Sequence, residues 1–98
     1  MRTDGIPKQF QLFSHTIVVK IVTPKKWKHG KNNVGIWIPD KYRIEIISSV
    51  KGSNRQQIWA HEAIHAILDL AGYENLSYDE VLVDRLAHLL AQMLTTME

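Results

Sequence analysis

The first half of the chain has the hydrophobic pattern of β-strands. Residues Thr16–Val22 are mostly β-branched, and Tyr42–Ile47 alternates polar and apolar side chains, as a strand with one solvated face does. Two shorter segments, Phe10–Phe13 and Val34–Ile38, also have strand-like composition. Residues 39–41 (Pro, Asp, Lys) are typical of a turn that joins the last two strands into a hairpin. These segments predict a small, mainly antiparallel sheet.

The second half changes to the 3.6-residue period of amphipathic helices. Ser53 and Gln56 form a capping-box pattern that predicts a helix from about residue 54, and Gly72 is expected to end it. A second capping-box pattern, from Ser77 to Glu80, predicts a helix that runs to about residue 96. The apolar residues of this second helix are expected to face the core: Val81, Leu82, Leu86, Leu89, Leu90, Met93 and Leu94. We therefore predict an α+β fold, with the sheet packed on two long helices in a single domain over residues 1–98.

Composition narrows the chemistry that the chain can carry. The 98 residues are 45% hydrophobic, which is typical of a globular domain. The absence of cysteine excludes disulfides and thiolate metal sites, so any metal ligands must be His, Asp or Glu. The N-terminal residues lack the apolar stretch of a signal peptide, and no segment approaches transmembrane length. We therefore expect a soluble, cytoplasmic protein that has no membrane partner.

Charge is divided unevenly between the two halves. Residues 1–55 hold eleven basic and three acidic side chains, a net charge of +8, whereas residues 56–98 hold one basic and seven acidic, a net charge of −6. The basic loop around Trp27 combines lysines with an aromatic side chain, a pattern that can bind nucleic acid. A solvated loop with Trp27 packed on the core is the simpler interpretation, so nucleic acid is not expected as a partner.

The segment from His61 to His65 reads His-Glu-Ala-Ile-His and lies inside the first predicted helix. Histidines four residues apart lie on one helix face a turn apart, so their imidazoles can converge on one ion. Zinc accepts imidazole nitrogen at about 2.0–2.1 Å and prefers tetrahedral sites. Glu62 is rotated by about 100° from His61, which places its carboxylate beside the ion, where it can act as general base toward water. We predict one zinc ion per chain.

A catalytic zinc site needs a third protein ligand. Asp69 lies on the same helix face but about 12 Å along the axis from His61, too far to share the ion. The second long helix folds back after a short connection, and this brings its carboxylates closer. We favour Glu80 as the ligand over Asp84, although a capping role competes for the Glu80 carboxylate. If Glu80 binds the ion, Asp84 can reach a histidine nitrogen that is not on the metal.

The His61–His65 motif, followed by Asp79-Glu80-Val81-Leu82-Val83-Asp84, resembles the paired motifs of the gluzincin metallopeptidases. The short gap between the motifs and the length of the chain are similar to those of the compact minigluzincins and of small HExxH proteins from bacteriophages and bacteria. The resemblance implies a zincin-like domain with zinc ligands His61, His65 and Glu80, with Glu62 as general base and with Asp84 as the partner of a ligand histidine. Asp79 stands where this family has Asn.

The resemblance covers about residues 34–97 and includes the strand before the first helix. In such peptidases an edge strand lies above the metal and pairs with the extended substrate, a form of β-augmentation. The matching segment is Tyr42–Ile47, so the resemblance implies the substrate-binding residues Tyr42, Arg43, Ile44, Glu45 and Ile46.

Two functions follow as hypotheses. The first is a zinc-dependent peptidase that hydrolyses peptide bonds in peptide or protein substrates. The alternative is a catalytically weak or inactive zinc-containing module that binds a protein partner through the Tyr42–Ile47 edge. The motifs leave the oxyanion donor open among Tyr42, Tyr73, Tyr78, Arg85 and His88.

Overall fold

The structure of the protein, a computed structural model, describes residues 5–97 and consists of one four-stranded sheet and three α-helices. The strands are β1 (Gln9–Leu12), β2 (His15–Val22), β3 (Gly35–Ile38) and β4 (Arg43–Ile47). The helices are α1 (Gly52–Leu70), α2 (Glu74–Ser77) and α3 (Glu80–Thr96). The predicted α+β fold with two long helices is confirmed. Residues 1–4 and 98 of the predicted single domain lie outside the described part of the chain.

The sheet is mixed, and its strand order is β1-β2-β4-β3. β2 pairs with β1 antiparallel and with β4 parallel, and β4 pairs with β3 antiparallel. The prediction of Tyr42–Ile47 as the edge strand is therefore wrong, because β4 is hydrogen-bonded on both sides. β3 is the edge strand instead. The physical reason is that β4 is rich in isoleucine, and an interior position buries Ile44 and Ile46 completely.

The core lies between one face of the sheet and the helices. Alternate residues of β2 and β4 point toward the helices, which is why Ile17, Val19, Ile44 and Ile46 are at most 1% exposed. The buried face of α1 carries several alanines, which let the backbones of helix and sheet approach closely. The buried α1 residues are Trp59, Ala60, Ala63, Ile64 and Ala66. Burial of this face fixes which side of α1 remains open for chemistry.

A glycine allows β3 to cross close above α1. A Cβ atom added at Gly35 would lie 2.4 Å from Cγ2 of Ile58 and 3.4 Å from Cγ of Glu62. The first distance is far inside van der Waals contact, so any side chain at Gly35 would require Ile58 to shift. Gly35 therefore places the edge strand directly beside the helix turn that carries Glu62.

The starts of both long helices differ from the predicted capping boxes. The N-cap of α1 is Lys51, which makes no side-chain capping bond, and Ser53 lies inside the helix. The N-cap of α3 is Asp79, whose Oδ1 accepts a hydrogen bond from the Leu82 amide at 3.1 Å. Because Asp79 does the capping, Ser77 is left to bond elsewhere. Gly72 follows the end of α1 with φ +87°, in agreement with its predicted role.

Only a narrow stripe of α3 faces the core. Val83 and Ala87 are fully buried, whereas Val81, Leu89 and Met93 are more than half exposed. The prediction that these three residues face the core is therefore wrong. α3 packs mainly on α1, and a helix with one principal neighbour buries less than its whole apolar arc.

The other face of the sheet carries the basic loop. Glu45 points away from the helices, and its carboxylate lies 2.8 Å from Nε2 of His29 and 3.3 Å from Nη1 of Arg43. Burial alone would raise the pKa of Glu45, but the hydrogen bonds and charges of His29 and Arg43 outweigh it and lower the pKa. The Trp27 indole donates to the Gly30 carbonyl at 3.1 Å, so this aromatic ring is bonded within its own loop.

None of the helices formed by residues 5–97 has both the length and the apolar character that crossing a membrane requires.

Candidate metal centre

Two histidines of α1 and the first residue of α3 converge at one point. Nε2 of His61 lies 3.3 Å from Oε2 of Glu80, and Nε2 of His65 lies 3.6 Å from Oε1 of the same carboxylate. One ligand atom from each of the three residues lies within 4.8 Å of the other two. The group can therefore hold a metal ion.

These separations suit a small tetrahedral cation. Ligand atoms about 2.0–2.1 Å from a tetrahedral ion lie about 3.3 Å from one another. Each imidazole lies at about that distance from one oxygen of the Glu80 carboxylate, and the three ligand atoms lie within 4.8 Å of one another, so side-chain adjustments bring them around one ion. Two imidazoles and one carboxylate form a donor set that zinc uses in hydrolytic enzymes, with the fourth position left open. The residues present thus fit the predicted cofactor.

Local sequence explains how the three side chains meet. His61 and His65 are one helical turn apart, and their rings pack edge to face with centroids 5.0 Å apart. Gly72 reverses the chain after α1, and the single turn of α2 sets the direction of α3. α3 then runs back against α1 with Glu80 as its first residue. Proximity of Glu80 to the histidines is thus a result of chain reversal and not of local helix geometry.

The remaining nitrogen of each histidine has an oxygen neighbour. Nδ1 of His65 is hydrogen-bonded to Oγ of Ser77 at 2.9 Å, and Ser77 is buried. Nδ1 of His61 lies 3.9 Å from Oδ1 of Asp84, an ion-pair distance and not a hydrogen bond. Asp84 thus lies beside the off-metal nitrogen that sequence reasoning assigned to it. Ser77 was missed, because its place in a capping-box pattern pointed to a different role.

Glu62 lies beside the histidines and is partly buried. Burial raises its pKa to about 7; a hydrogen bond from the Trp37 backbone opposes this rise, and the negative charge of Glu80 adds to it. Burial also lowers the pKa of His65, as does the charge of His61, against the opposing charges of Glu80 and Asp69. Low pKa values keep imidazoles neutral and available to a metal.

A cleft of about 720 Å³ opens beside Glu62 and His65. Its walls come from the edge strand β3, the turn at residues 39–41, the end of α1, and the segment from α2 to the start of α3. One side of β3 is paired with β4, and the other side faces this cleft. An unpaired strand edge is a template for an extended peptide. The cleft therefore combines a candidate metal centre with the edge strand of the sheet.

The substrate-binding residues implied by the resemblance fall in three different places. Ile44 and Ile46 are buried in the core, and Arg43 and Glu45 lie on the opposite face of the sheet. Tyr42 alone lines the cleft. The reason is again the interior position of β4, which leaves no free edge for a substrate or a protein partner. The segment Gly35–Ile38 takes the place that sequence reasoning gave to Tyr42–Ile47.

Three of the candidate oxyanion donors lie near the centre. Tyr42 and Tyr78 line the cleft, and Arg85 lines a smaller cavity together with His61 and Glu80. The Tyr42 backbone has φ +48°, uncommon for a non-glycine residue, and its ring stacks on His15 with centroids 4.3 Å apart. This stacking holds Tyr42 at the mouth of the cleft.

Searches with the chain against protein-family models, curated proteins and solved structures gave no match. The resemblance to gluzincins therefore rests on the residues themselves and on their arrangement.

Proposed function

We propose that the protein is a zinc-dependent peptidase that hydrolyses peptide bonds. The observation that carries this proposal is the convergence of His61, His65 and Glu80 beside a partly buried Glu62, in a cleft bounded by the edge strand β3. A metal centre alone supports many functions. A carboxylate base and a peptide-shaped cleft at the same centre favour hydrolysis of an amide.

His61, His65 and Glu80 would hold a zinc ion, which would supply Lewis-acid chemistry for the activation of a carbonyl and of water. Glu62 serves as the general base, and its carboxylate accepts the proton that the attacking water loses. The same carboxyl group then passes that proton to the leaving amine. Ser77 and Asp84 orient the two imidazoles through their Nδ1 atoms.

The substrate backbone lies in extended form along β3. Hydrogen bonds between the two backbones align the scissile carbonyl with Glu62, which the Trp37 backbone contacts directly. The hydroxyl groups of Tyr42 and Tyr78 are the cleft donors available to a developing oxyanion. In this arrangement β3 aligns the substrate backbone, and the carboxylate of Glu80 contributes negative charge to the metal centre.

Metal analysis and peptide cleavage test the proposal together. The wild-type protein is expected to bind one zinc ion per chain and to cleave an unstructured peptide mixture. Glu62→Gln should keep the zinc and lose cleavage, because it removes the base and spares the ligands. Glu80→Ala should lose both. His88→Asn is the matched control for zinc content, since His88 lies on the same side of α3 outside the cluster.

The readouts are elemental analysis of dialysed protein and mass spectrometry of the peptide mixture. Cleavage retained in Glu62→Gln would refute the proposed mechanism. Zinc content unchanged in Glu80→Ala would refute the ligand set.

A further inference from the structure

The cleft carries more negative charge than one divalent cation at the metal centre would neutralise. Five carboxylates line it, and no lysine or arginine does so among residues 5–97; the five are Asp40, Glu62, Asp69, Glu74 and Glu80. A divalent cation bound at the centre offsets the charges of Glu62 and Glu80. Three carboxylates then remain uncompensated on one side of the centre, and such a field attracts cations.

Of these three carboxylates, Asp69 is held by a hydrogen bond from another side chain. It lies one helical turn beyond His65, and its Oδ2 accepts a hydrogen bond from Nε1 of Trp37 at 2.9 Å. Trp37 is only 8% exposed, so the donor is itself fixed by the core. Asp69 is partly buried, and a charge in such a position is screened less than one on the open surface. Its carboxylate is therefore held in place at the cleft wall.

The walls around these carboxylates include apolar surface. Trp37, Leu70 and Tyr42 line the same cleft, and a long aliphatic stem can pack on them while its charged end reaches Asp69 or Glu74. Arg85, a basic side chain near the metal centre, lines a separate cavity with His61 and Asp84. The two sides of the centre thus differ in charge.

We propose that the cleft selects substrates with a lysine or arginine side chain next to the scissile bond, and that Asp69 is the main specificity determinant, supported by Glu74 and Asp40. This inference rests on the proposed peptidase function. It names a cationic side chain as the ligand, recognised by carboxylate charge and by apolar contact with its stem.

The test uses peptides with both termini blocked that differ at one position, lysine against norleucine, which has a similar aliphatic stem and no charge. The substituted position is moved along both sides of the scissile bond. Turnover is measured with the zinc-loaded wild type, and binding with zinc-loaded Glu62→Gln by calorimetry. At one position lysine is expected to raise kcat/KM and affinity by about tenfold, and high salt should reduce this preference.

Conservative variants separate charge from structure. Asp69→Asn keeps an acceptor for the Trp37 indole but removes the charge, so the ratio of kcat/KM for the lysine peptide to that for the norleucine peptide should fall close to one. Glu74→Gln should lose a smaller part. Glu45→Gln is the matched control, because it changes the net charge equally on the opposite face of the sheet and should keep the preference.

The outcomes distinguish the two proposals. Equal cleavage of lysine and norleucine peptides at every position would overturn the specificity and leave the peptidase intact. Selective binding without turnover would overturn the peptidase and support recognition of a basic side chain. Absence of both binding and turnover would overturn both proposals.

Discussion

Replacing Glu62 with glutamine should change how the stability of the metal-free protein depends on pH. Burial raises the pKa of Glu62 from its ordinary 4.5 to about 7. Below pH 4.5 the side chain is protonated in both the folded and the unfolded chain. Between these two values the unfolded chain has lost the proton and the folded protein keeps it. Above pH 7 the folded protein must bury a carboxylate charge. The stability that the folded protein has at low pH, where the Glu62 side chain is neutral, is therefore lost as pH rises through 7.

The size of the effect follows from the two pKa values. Each pKa unit corresponds to about 1.4 kcal/mol, so the difference between 4.5 and about 7 corresponds to about 3 kcal/mol. The free energy of unfolding of the wild type should fall by about this amount, relative to Glu62→Gln, as pH rises from below 4.5 to above 7. His65 has the opposite tendency, because its lowered pKa gives stability that increases as pH rises toward 6.5. His65 is present in both proteins, so the difference between them isolates Glu62.

The assay is urea unfolding followed by circular dichroism, in a chelating buffer, at a series of pH values. Free energies come from linear extrapolation, and similar m-values are required before the two proteins are compared. Parallel stability curves for wild type and Glu62→Gln would refute the reasoning, because they would show that Glu62 ionises in the fold as it does in water. A wild type that gains stability over Glu62→Gln with rising pH would refute it more strongly.

Three further predictions concern the packing and the hydrogen bonds of the centre. Gly35→Ala should destabilise the fold by about 1–3 kcal/mol in urea unfolding through its clash with Ile58, and adding Ile58→Ala should recover part of the loss; strict additivity in the double mutant would contradict this. Ser77→Ala should weaken zinc binding about tenfold in competition with a chelating dye, since it leaves one ligand histidine without its Nδ1 partner, and unchanged affinity would dismiss that role. Trp37→Phe should cost about 1–3 kcal/mol in thermal or urea unfolding, because the Asp69 carboxylate loses its donor; Asp69→Ala as background, which removes the acceptor, should reduce this cost, and an equal cost there would assign it to packing alone.

The sequence by itself determined the elements and the part of the centre that is local. Period-2 and period-3.6 patterns depend only on neighbouring residues, so the four strands and the two long helices could be located within a few positions of their observed bounds, whereas the single turn of α2 was not predicted. The same reasoning placed His61, Glu62 and His65 on one helix, since helical geometry fixes their relation. The absence of cysteine restricted the possible metal ligands to His, Asp and Glu. The restriction on metal ligands follows from composition alone. The inferences on the elements and on the three residues of α1 depend on residues that are close together along the chain.

Tertiary structure decided the order of strands and the contacts across elements. Tyr42–Ile47 was identified as a strand, but its two-sided pairing depends on a parallel contact with β2 about 25 residues earlier, which no local pattern encodes. The set of α3 residues predicted to face the core was too large, because the burial of a helix depends on how many neighbours it has, and a local pattern does not encode this number. A capping-box pattern is compatible with several helix starts within one turn. In the folded protein α3 begins after Asp79, and Asp79, not Ser77, is its N-cap.

The site shows the same division. Two imidazoles one turn apart follow from the sequence, whereas the carboxylate that completes the group depends on how α3 returns across α1. Sequence spacing made Glu80 the favoured ligand, and only packing could bring its oxygens within 3.3 and 3.6 Å of the histidines. The bond between Ser77 and His65 and the bond between Trp37 and Asp69 join residues 12 and 32 positions apart. Such contacts depend on the global fold, because loops of that length place no limit on which side chains meet.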